Sequence, residues 1–486
     1  MKTAIVGAGI GGLTAALLLN RQGHDVTIYE KEAHLGGRLT FQSNGEYRID
    51  QGPTIVLLPE LLKEILAEAG IEQDAIELIP CDPLYDIHFA DGTVYRKWRD
   101  TKKQMGEIES KFPGESFGYQ RYMHQMKKVY DFGTEAFLSK IFINKRSFLS
   151  LQNIKFVLSS QSYQHVSKYL ASFFNDRRLI HSYALQTLYI GGAPHQVPAL
   201  YGLISYSEHA YGIWYVKGGY ASIVPVLEEA CRSRGVKIYK QQPVDDIVVE
   251  GKTVQGVRTN GSFQAFDHVV FNGDYPMIDR LLPTNYQKKR QKQLEPSSGC
   301  VLVYLGVNRR YQDQLTHQFY LSDDFDTYME EVVSGNEIPN DPSCYVFNPV
   351  TIDPDAAPAD KSVLYMLIPV PASIDPSDKA LYRLVEDQIE KIENSSFQGL
   401  RNAIEWQSIR TPRQAEQEGL YLGGSFGVAP KINQSGGFRP QIIHPEINGL
   451  FAVGASVHPG GGIPIVMQGA RLLANYFKEE ETKHVR

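Results

Sequence analysis

Cysteine is scarce in this sequence, and the few cysteines follow no binding pattern. The four, Cys81, Cys231, Cys300 and Cys344, are scattered along 486 residues without CxxC spacing. Disulfide frameworks and zinc sites both need cysteines at paired spacings. The sequence therefore predicts buried thiols, a reducing cytoplasmic compartment, and neither a disulfide framework nor a metal site.

Long apolar runs and a strong excess of one charge are also absent. No uninterrupted apolar run reaches the length of about 18 residues that crosses a bilayer. No basic segment followed by an apolar segment precedes the first predicted strand, and the net charge is −6. We therefore expect no membrane-spanning helix, no signal peptide and no nucleic-acid partner.

The chain has ample material for a hydrophobic core. Hydrophobic residues make up 42% of its 486 residues. A chain of this length exceeds what one core normally organises, so we expect two domains or one large domain with insertions. No Ser/His/Asp set and no pair of catalytic carboxylates is recognisable in the sequence.

Glycines at the first predicted strand-to-helix turn are arranged for a dinucleotide. A short buried strand ends at Val6, and the turn and helix start contain Gly7, Gly9, Gly11 and Gly12. Gly7 permits the tight turn, Gly9 lets the backbone approach a pyrophosphate, and Gly12 lets helix and strand pack. The N-terminus of the helix offers free N–H groups to the phosphates.

Acidic and basic residues complete this nucleotide motif. The second predicted strand ends in Glu30, followed by Lys31, at the distance of about 20 residues at which a carboxylate binds the adenosine ribose. Further on, Arg38 can pair with a pyrophosphate while Gly36 and Gly37 admit the backbone beside it. A glycine-rich turn without a ligand rarely carries this full set of residues.

A second junction of strand and glycine loop lies near the C-terminus. The predicted strand 449–453 ends at Gly454, and a glycine-rich loop leads into a helix from Ile465. FAD extends through such a domain and needs a second glycine-lined junction, so two junctions favour FAD over a nicotinamide. The further residues predicted to bind it are Gly52, Pro53, Thr54, Val244, Asn272, Asp274, Gly454, Ala455, Gly462, Ile463, Pro464 and Met467.

The middle of the chain divides into a helical and a strand-rich part. Residues 104–215 are predicted to be mostly helical and rich in aromatic side chains, whereas residues 297–420 are predicted to form a sheet. The expected strands are 300–306, 344–347 and 363–368, with one amphipathic helix at 379–392. We interpret this sheet as the floor of a second domain.

The segment Phe132 to Phe156 combines aromatic and basic side chains, and its one acidic residue is Glu135. Such a segment suits a helix in a bilayer interface, with rings at the headgroup boundary and cations over anionic lipid. Aromatics that line or cap a soluble substrate domain give the same pattern. From the residues alone, both interpretations stay open.

Four further segments carry a resemblance to a known family. They are Asp50 to Val56, Gln186 to Gly191, Tyr215 to Gly219 and Ala455 to Pro464. With them, the sequence resembles the bacterial-type carotenoid desaturases, in the amine-oxidase-like group of flavoproteins, over nearly the whole chain. It is most similar to the C30 branch, the diapophytoene (dehydrosqualene) desaturases.

The resemblance implies a fold class and a domain division. We expect an α/β protein in which a Rossmann-type FAD-binding domain carries an inserted α+β substrate domain, as in the two-domain amine-oxidase and GDI-like flavoproteins. The FAD-binding domain comprises residues 1–62, 216–290 and 421–486. The substrate and membrane-associating domain comprises residues 63–215 and 291–420.

The resemblance also implies the reaction, the FAD-dependent desaturation of a C30 or C40 carotenoid precursor such as diapophytoene. A hydride passes from an allylic carbon to the flavin N5, and the adjacent carbon loses a proton. Because the allylic cation is delocalised, a strong base is not required. A C30 hydrocarbon partitions into the bilayer, which favours peripheral membrane association of the cytoplasmic protein through Phe132 to Phe156.

Individual roles near the expected site stay open. His458 is the candidate proton acceptor, although a hydrogen bond that holds its loop is the favoured role. Lys217 lies either near the flavin or in solvent, and Trp214 and Tyr215 either line a substrate tunnel or belong to the core.

Alternative functions also share parts of this pattern. The segments Leu294 to Gly299, Trp214 to Val216 and Gly460 to Gly462 resemble sister enzymes that oxidise the terminal methyl of a finished diapocarotene. A non-redox prenyl-lipid carrier has little need for the complete nucleotide motif. A generic amine oxidase is disfavoured because no cysteine follows Cys344 to anchor a flavin covalently.

Overall fold

The structure of the protein, a computed structural model, describes residues 1–142, 148–287 and 294–484. The strands in these residues are β1 (Lys2–Val6), β2 (Asp25–Tyr29), β3 (Phe41–Ser43), β4 (Arg48–Asp50), β5 (Leu78–Pro80), β6 (Tyr85–His88), β7 (Val94–Lys97), β8 (Trp214–Val216), β9 (Lys237–Tyr239), β10 (Asp246–Glu250), β11 (Thr253–Thr259), β12 (Ser262–Ala265), β13 (His268–Phe271), β14 (Gly299–Val307), β15 (His317–Tyr320), β16 (Cys344–Phe347), β17 (Ser362–Val370), β18 (Ile404–Arg410) and β19 (Leu450–Ala452).

The α-helices described are α1 (Ile10–Arg21), α2 (Pro59–Glu68), α3 (Thr101–Lys111), α4 (Ser116–Gly133), α5 (Leu151–Ser160), α6 (Val166–Leu170), α7 (Arg177–Ala184), α8 (Leu203–Tyr211), α9 (Ile223–Ser233), α10 (Phe325–Ser334), α11 (Asp378–Ser395), α12 (Leu400–Ala403), α13 (Pro412–Gln417) and α14 (Ile463–His484). Residues 104–215, where mostly helical structure is predicted, contain α4 to α8 and shorter helical turns.

A parallel sheet carries the N-terminal glycine turn. Its strand order is β19-β13-β1-β2-β9, and Ile5 of β1 lies opposite Ile28 of β2 and Val270 of β13. All three side chains are buried, as in a parallel sheet covered on both faces. Helix α1 packs against α9 and α14. Because β19 and α14 come from the end of the chain, both chain ends build this layer.

A larger mixed sheet forms a second layer. Its order is β18-β14-β17-β16-β15-β6-β7, antiparallel except for the β15–β6 pair. The predicted strands 300–306, 344–347 and 363–368 are β14, β16 and β17, and the predicted helix 379–392 is α11. These predictions are confirmed.

The two faces of the mixed sheet pack against different partners. Along β14, Val301 and Val303 point to the cluster that includes Ile389 of α11. The alternate residues Leu302 and Tyr304 belong to an aromatic cluster shared with the helices of residues 101–211. Side chains alternate between the faces of a strand, so every residue of β14 is buried on one side or the other.

Some of the predicted membrane segment and one domain boundary lie outside the described residues. Ile143, Lys145 and Arg146 are among them, and so is the predicted boundary between residues 290 and 291. The domain division therefore stays a prediction. Among the helices that the structure describes, none is both long and apolar enough to cross a membrane.

Candidate cofactor and substrate site

One continuous cavity of about 1220 Å³ extends from the carboxyl edge of the parallel sheet to the aromatic face of the mixed sheet. It brings together nearly all residues predicted to bind a cofactor. Those in its wall are Gly7, Gly9, Gly11, Glu30, Lys31, Gly36, Gly37, Arg38, Gly52, Pro53, Thr54, Val244, Asn272, Asp274, Gly454, Ala455, Gly462, Ile463 and Pro464.

Two predicted cofactor residues lie elsewhere. Gly12 is not in the wall, but it serves the packing role expected of it, because an added Cβ would lie 2.2 Å from the Gly7 carbonyl oxygen. Met467 is fully buried within α14 and packs into the core of the parallel-sheet layer. The structure therefore does not bring the Met467 side chain to the cavity, since its side of the helix faces inward.

The N-terminal turn presents bare backbone to the cavity. Gly7 has a φ of +97°, which side-chain-bearing residues rarely adopt. Gly9 precedes α1 as its N-cap, and this cap makes no side-chain hydrogen bond to the first turn of the helix. Asn272 Nδ2 donates to the Gly7 carbonyl at 3.1 Å and holds the turn closed. The free N–H groups of α1 can therefore bind an anionic group.

Backbone hydrogen bonds hold the Glu30 carboxylate at the end of β2. One oxygen accepts from the Ala8 N–H at 2.7 Å and the other from the Glu32 N–H at 2.9 Å. A carboxylate has about four acceptor sites, so capacity remains for the hydroxyls of a ligand. The neighbouring Lys31 ammonium donates to the Glu418 carbonyl at 2.7 Å across the cavity mouth.

Arg38 brings a cation to the cavity wall. Its guanidinium donates to the Ser425 carbonyl, and within the described part of the chain it forms no ion pair with a carboxylate. Burial lowers the pKa of Arg38, while the charge of Asp274 raises it. Because Asp274 acts on this cation only at a distance and forms no ion pair with it, an anion bound beside Arg38 would stabilise this part of the site.

His458 fastens the C-terminal loop to the helical region. Its Nε2 lies 3.0 Å from both the Phe137 and the Lys140 carbonyls, so this nitrogen carries the proton and donates. The ring also packs edge-on against Phe142, at 5.0 Å between centroids. Burial lowers the pKa of His458 to about 4, which keeps the imidazole neutral near pH 7. These contacts hold the glycine-rich C-terminal loop against the helical region, which is the role favoured for His458 from the sequence.

Residues 214–217 do not reach the cavity. Lys217 forms an exposed ion pair with Glu77 at 3.0 Å. Tyr215 is 2% exposed and donates to Asp353 at 3.0 Å, and Trp214 packs against the core with its indole N–H on the Tyr211 carbonyl. Of the interpretations that the sequence left open, Lys217 therefore lies in solvent, and Trp214 and Tyr215 pack in the core.

Past Thr54 the cavity becomes an apolar channel over the mixed sheet. The sequence predicts this sheet, but not which face lines a cavity, because apolar residues occupy both faces of its strands. Residues of the channel wall are Leu188, Ile190, Leu203, Leu302, Phe319, Leu321 and Leu367.

A short chain of hydrogen bonds interrupts this apolar wall. The hydroxyls of Thr54 and Tyr345 are 2.7 Å apart, and the Tyr345 hydroxyl is 2.7 Å from His317 Nδ1. Thr54 and Tyr345 line the cavity, whereas His317 is buried behind them. Sequence reasoning missed Tyr345 and His317 because Thr54 and Tyr345 are 291 residues apart, and neither partner has a local motif.

The Gln186 to Gly191 segment anchors a buried polar network behind the channel wall. Gln186 and Tyr85 both donate to Glu208, at 3.0 and 2.7 Å. Nearby, the Lys97 ammonium lies 3.6 Å from the ring centroid of Tyr183. Burial lowers the pKa of Lys97 to about 7 and raises that of Glu208. Gln186 thus helps to hold Glu208, an ionisable group that the core shields from water.

The described parts of the segment Phe132 to Phe156, residues 132–142 and 148–156, contribute one side of the channel wall. Its phenyl rings pack on one another, with Phe132 and Phe156 stacked at 3.8 Å and Phe137 and Phe142 buried. The exposed apolar surface next to them is aliphatic and lies at Leu149, Leu151, Ile154 and Leu158. The described rings therefore pack on one another and cap the cavity, and membrane association of the segment stays a prediction.

The fold and cavity define an α/β protein with a nucleotide-type turn joined to an apolar channel. A family model described as flavin containing amine oxidoreductase matches residues 10–475. The chain belongs to this family and is a flavin-dependent oxidoreductase. The resemblance inferred from the sequence and the α/β fold class are confirmed.

Two relatives make this similarity more specific, and one solved structure shares the fold. The chain is 46% identical to a 4,4'-diapolycopen-4-al dehydrogenase of Metabacillus indicus, over 98% of this chain and 96% of the relative. It is 30% identical to a 4,4'-diapophytoene desaturase (4,4'-diaponeurosporene-forming) of Staphylococcus haemolyticus, over 99% of both chains. An oxidoreductase structure from Methanosarcina mazei superimposes with a TM-score of 0.66 at 17% identity, covering 98% of this chain and 100% of the other, and shows the fold alone.

Proposed function

We propose that this protein is an FAD-dependent oxidoreductase that desaturates a C30 carotenoid precursor of the diapophytoene type. The observation that carries the proposal is one cavity that joins the nucleotide turn of the parallel sheet to an apolar channel. Full-length similarity to desaturases that act on such a substrate supports the same conclusion.

The described residues fit FAD. The pyrophosphate would lie against Gly7, Gly9 and the N-terminus of α1, with the Arg38 guanidinium beside it. Glu30 would accept hydrogen bonds from the adenosine ribose, and the loop ending at Pro464 would receive the rest of the cofactor. When bound, FAD supplies the oxidant for the substrate. We assign this binding function to residues 1–62, 216–290 and 421–486.

The channel residues bind, orient and desolvate the substrate. A long hydrocarbon gains free energy by leaving water for a wall of Leu302, Phe319, Leu321 and Leu367, at roughly 25 cal/mol per Å² of apolar surface. Because the same wall excludes water, a cationic carbon formed during the oxidation is protected from capture by a hydroxide or water molecule.

A second candidate function is oxidation of the terminal carbon of a C30 carotenoid, which gives an oxygenated product. The observation that favours it is the 46% identity to a diapolycopenal dehydrogenase, against 30% to the desaturases. The sheet, nucleotide turn and channel serve both reactions equally well. A non-redox lipid carrier is a weaker candidate, because the complete nucleotide motif is retained.

We further propose that the protein docks peripherally on the cytoplasmic face of a membrane. Leu149, Ile154 and Leu158 are 49%, 40% and 61% exposed, and all three belong to the wall of the channel. An exposed aliphatic surface at the rim of a lipid-sized channel is an entry point for a hydrocarbon dissolved in a bilayer.

Product analysis tests these functions against one another. The purified protein is incubated with FAD and, in separate reactions, with diapophytoene or diapolycopenal. Desaturation is expected to lengthen the polyene, giving absorption at longer wavelength and a mass loss of two hydrogens per step. Conversion of diapolycopenal to its carboxylic acid, a mass gain of one oxygen, with unchanged diapophytoene would support the second candidate. A colourless protein that cannot be reconstituted with FAD would contradict both.

A further inference from the structure

The hydrogen-bonded residues Thr54, Tyr345 and His317 lead from the cavity wall into the protein interior. Thr54 is 5% exposed, Tyr345 is 8% exposed, and His317 is fully buried. Tyr345 joins the other two, with both hydrogen bonds at 2.7 Å. This series of hydrogen bonds therefore begins at a hydroxyl in the cavity wall, which a substrate can contact, and ends at an imidazole that solvent cannot reach.

His317 is held as a neutral acceptor. Its ring is nearly parallel to those of Tyr345 and Phe347, at centroid distances of 5.9 and 5.4 Å. Burial alone lowers the pKa of His317 to about 3, so the imidazole is uncharged at physiological pH. Among the residues that the structure describes, its Nε2 has no hydrogen-bond partner. Nδ1 thus makes the single polar contact of the ring, with the Tyr345 hydroxyl.

The hydrogen-bonded residues Thr54, Tyr345 and His317 link the cofactor side of the cavity to the channel. Thr54 follows the Gly52-Pro53 turn, and an added Cβ on Gly52 would lie 2.6 Å from the Arg38 carbonyl oxygen. The turn is therefore packed against the segment that carries Arg38. Tyr345 lies opposite Leu367 of the apolar wall in the mixed sheet, so Thr54 and Tyr345 join that turn to the channel wall.

Desaturation requires an acceptor for one proton. After one carbon loses a hydride, the adjacent carbon of the allylic cation is strongly acidic, so a weak base suffices. The four carboxylates of the wall each have a partner: Glu30 and Asp274 accept backbone N–H groups, Glu32 pairs with Lys31, and Glu418 pairs with Arg410. The hydroxyls of Thr54 and Tyr345 belong to the cavity wall and lead by hydrogen bonds to a neutral base, His317.

We propose that Thr54, Tyr345 and His317 form a proton relay that takes up the proton released in the desaturation, and this inference rests on the proposed function. Thr54 Oγ1 receives the proton from the substrate carbon while its own proton moves to the Tyr345 oxygen. The Tyr345 proton moves to His317 Nδ1 and produces an imidazolium. The electron pair of the broken C–H bond becomes the new π bond, and the hydride of the neighbouring carbon has left to the oxidant.

The test measures anaerobic substrate oxidation in the FAD-loaded enzyme, together with substrate affinity, for T54V, Y345F, H317Q and the T54V/Y345F double variant. Each single variant is expected to slow the oxidation at least about tenfold, in line with the usual contribution of general acid–base groups. The double variant should be no slower than the slower single variant, because one broken link stops the relay. Diapophytoene affinity should stay within about threefold.

Three comparisons separate a relay from a structural role. H317Q keeps a hydrogen-bonding group beside Tyr345 but removes the base, so a purely structural role predicts a normal rate for it. T54S restores the hydroxyl and should recover most of the rate lost in T54V. As a matched control, Y311F removes another buried tyrosine hydroxyl, which donates to Gln398 away from the cavity, and should leave the rate unchanged.

The wild type is expected to show a solvent deuterium isotope effect that Y345F abolishes. The relay would be overturned if the relay variants oxidise the substrate within about threefold of the wild-type rate, or if the double variant shows the sum of the two single losses. It would also be overturned if the variants lose substrate affinity alone. Each of these results leaves the proposed function in place. If the wild type oxidises no diapophytoene at all, the proposed function fails and the relay fails with it.

Discussion

Gly12 lies directly against Gly7: a Cβ on Gly12 would be 2.2 Å from the Gly7 carbonyl oxygen. The closest real Cβ contacts are about 3 Å, so α1 can approach β1 this closely because residue 12 has no side chain. The same approach brings the first turn of α1 to the cavity, where it offers N–H groups to an anion.

Replacing Gly12 with alanine is expected to push α1 away from β1. Overpacking of this kind costs about 1–3 kcal/mol of unfolding free energy, and displacement of the helix should lower the flavin content of the purified protein. Gly106→Ala is the matched control, because Gly106 lies within α3 with no heavy atom within 4 Å of an added Cβ. Denaturant unfolding and the ratio of flavin to protein absorbance measure both effects. A G12A protein with normal flavin content would contradict this account of the turn.

Replacing Glu30 with alanine should weaken FAD binding. Hydrogen bonds to a charged group contribute about 1.5–3 kcal/mol, so we expect the dissociation constant of FAD to rise by about tenfold or more. Titration of the flavin-depleted protein, followed by tyrosine and tryptophan fluorescence, measures the constant. Glu60→Ala, at a side chain 72% exposed on α2, should leave it unchanged. Equal affinities for E30A and the wild type would exclude Glu30 from the ribose site.

His458 is expected to make unfolding sensitive to acid. Its pKa is about 4 in the folded protein against an ordinary value of 6.5. Between these values the unfolded state binds a proton that the folded state does not, so stability is complete above pH 6.5 and falls as the pH drops toward 4. One such proton changes the unfolding free energy by about 1.4 kcal/mol per pH unit.

The variant H458Q isolates this proton. The introduced glutamine side chain can still donate to the Phe137 and Lys140 carbonyls, but it does not titrate. Between about pH 6 and 4.5 the unfolding free energy of H458Q should fall less steeply than that of the wild type, by about 1.4 kcal/mol per pH unit. H124Q, at an exposed histidine of α4, is the matched control. Identical slopes for H458Q and the wild type would refute the assignment.

The aliphatic rim of the channel is expected to bind bilayers. Leu151 is 79% exposed and Leu158 is 61% exposed on α5. Replacing both with serine removes apolar area that a bilayer would bury, which should weaken binding by about tenfold or more. Sedimentation with phosphatidylcholine vesicles measures this binding. The lipid is neutral overall, so attraction between opposite charges does not contribute. Tyr382→Ser, at a side chain 65% exposed on α11, is the matched control. An equal loss of vesicle binding in the double leucine variant and in Tyr382→Ser would show that α5 is not the docking surface.

Sequence reasoning was most successful where interacting residues are neighbours in the chain. The strands of the mixed sheet were predicted from apolar runs, and β14, β16 and β17 confirm them. Sequence reasoning did not show that the Met467 side chain packs into the core, because a position one turn into α14 does not reveal which side of the helix faces inward; its role at the cofactor stays a prediction. It left His458 open, because the Phe137 and Lys140 carbonyls that receive its proton lie more than 300 residues away.

The sequence by itself determined the nucleotide turn and the family. Gly7, Gly9 and Gly12 act within one strand–turn–helix unit, so their spacing carries the geometry. The tertiary structure alone decided which face of the mixed sheet became the channel wall and that His317 stands behind Tyr345 and Thr54. The physical reason is that these contacts depend on how separate strands pair and pack, which alternating apolar residues on both faces leave unspecified.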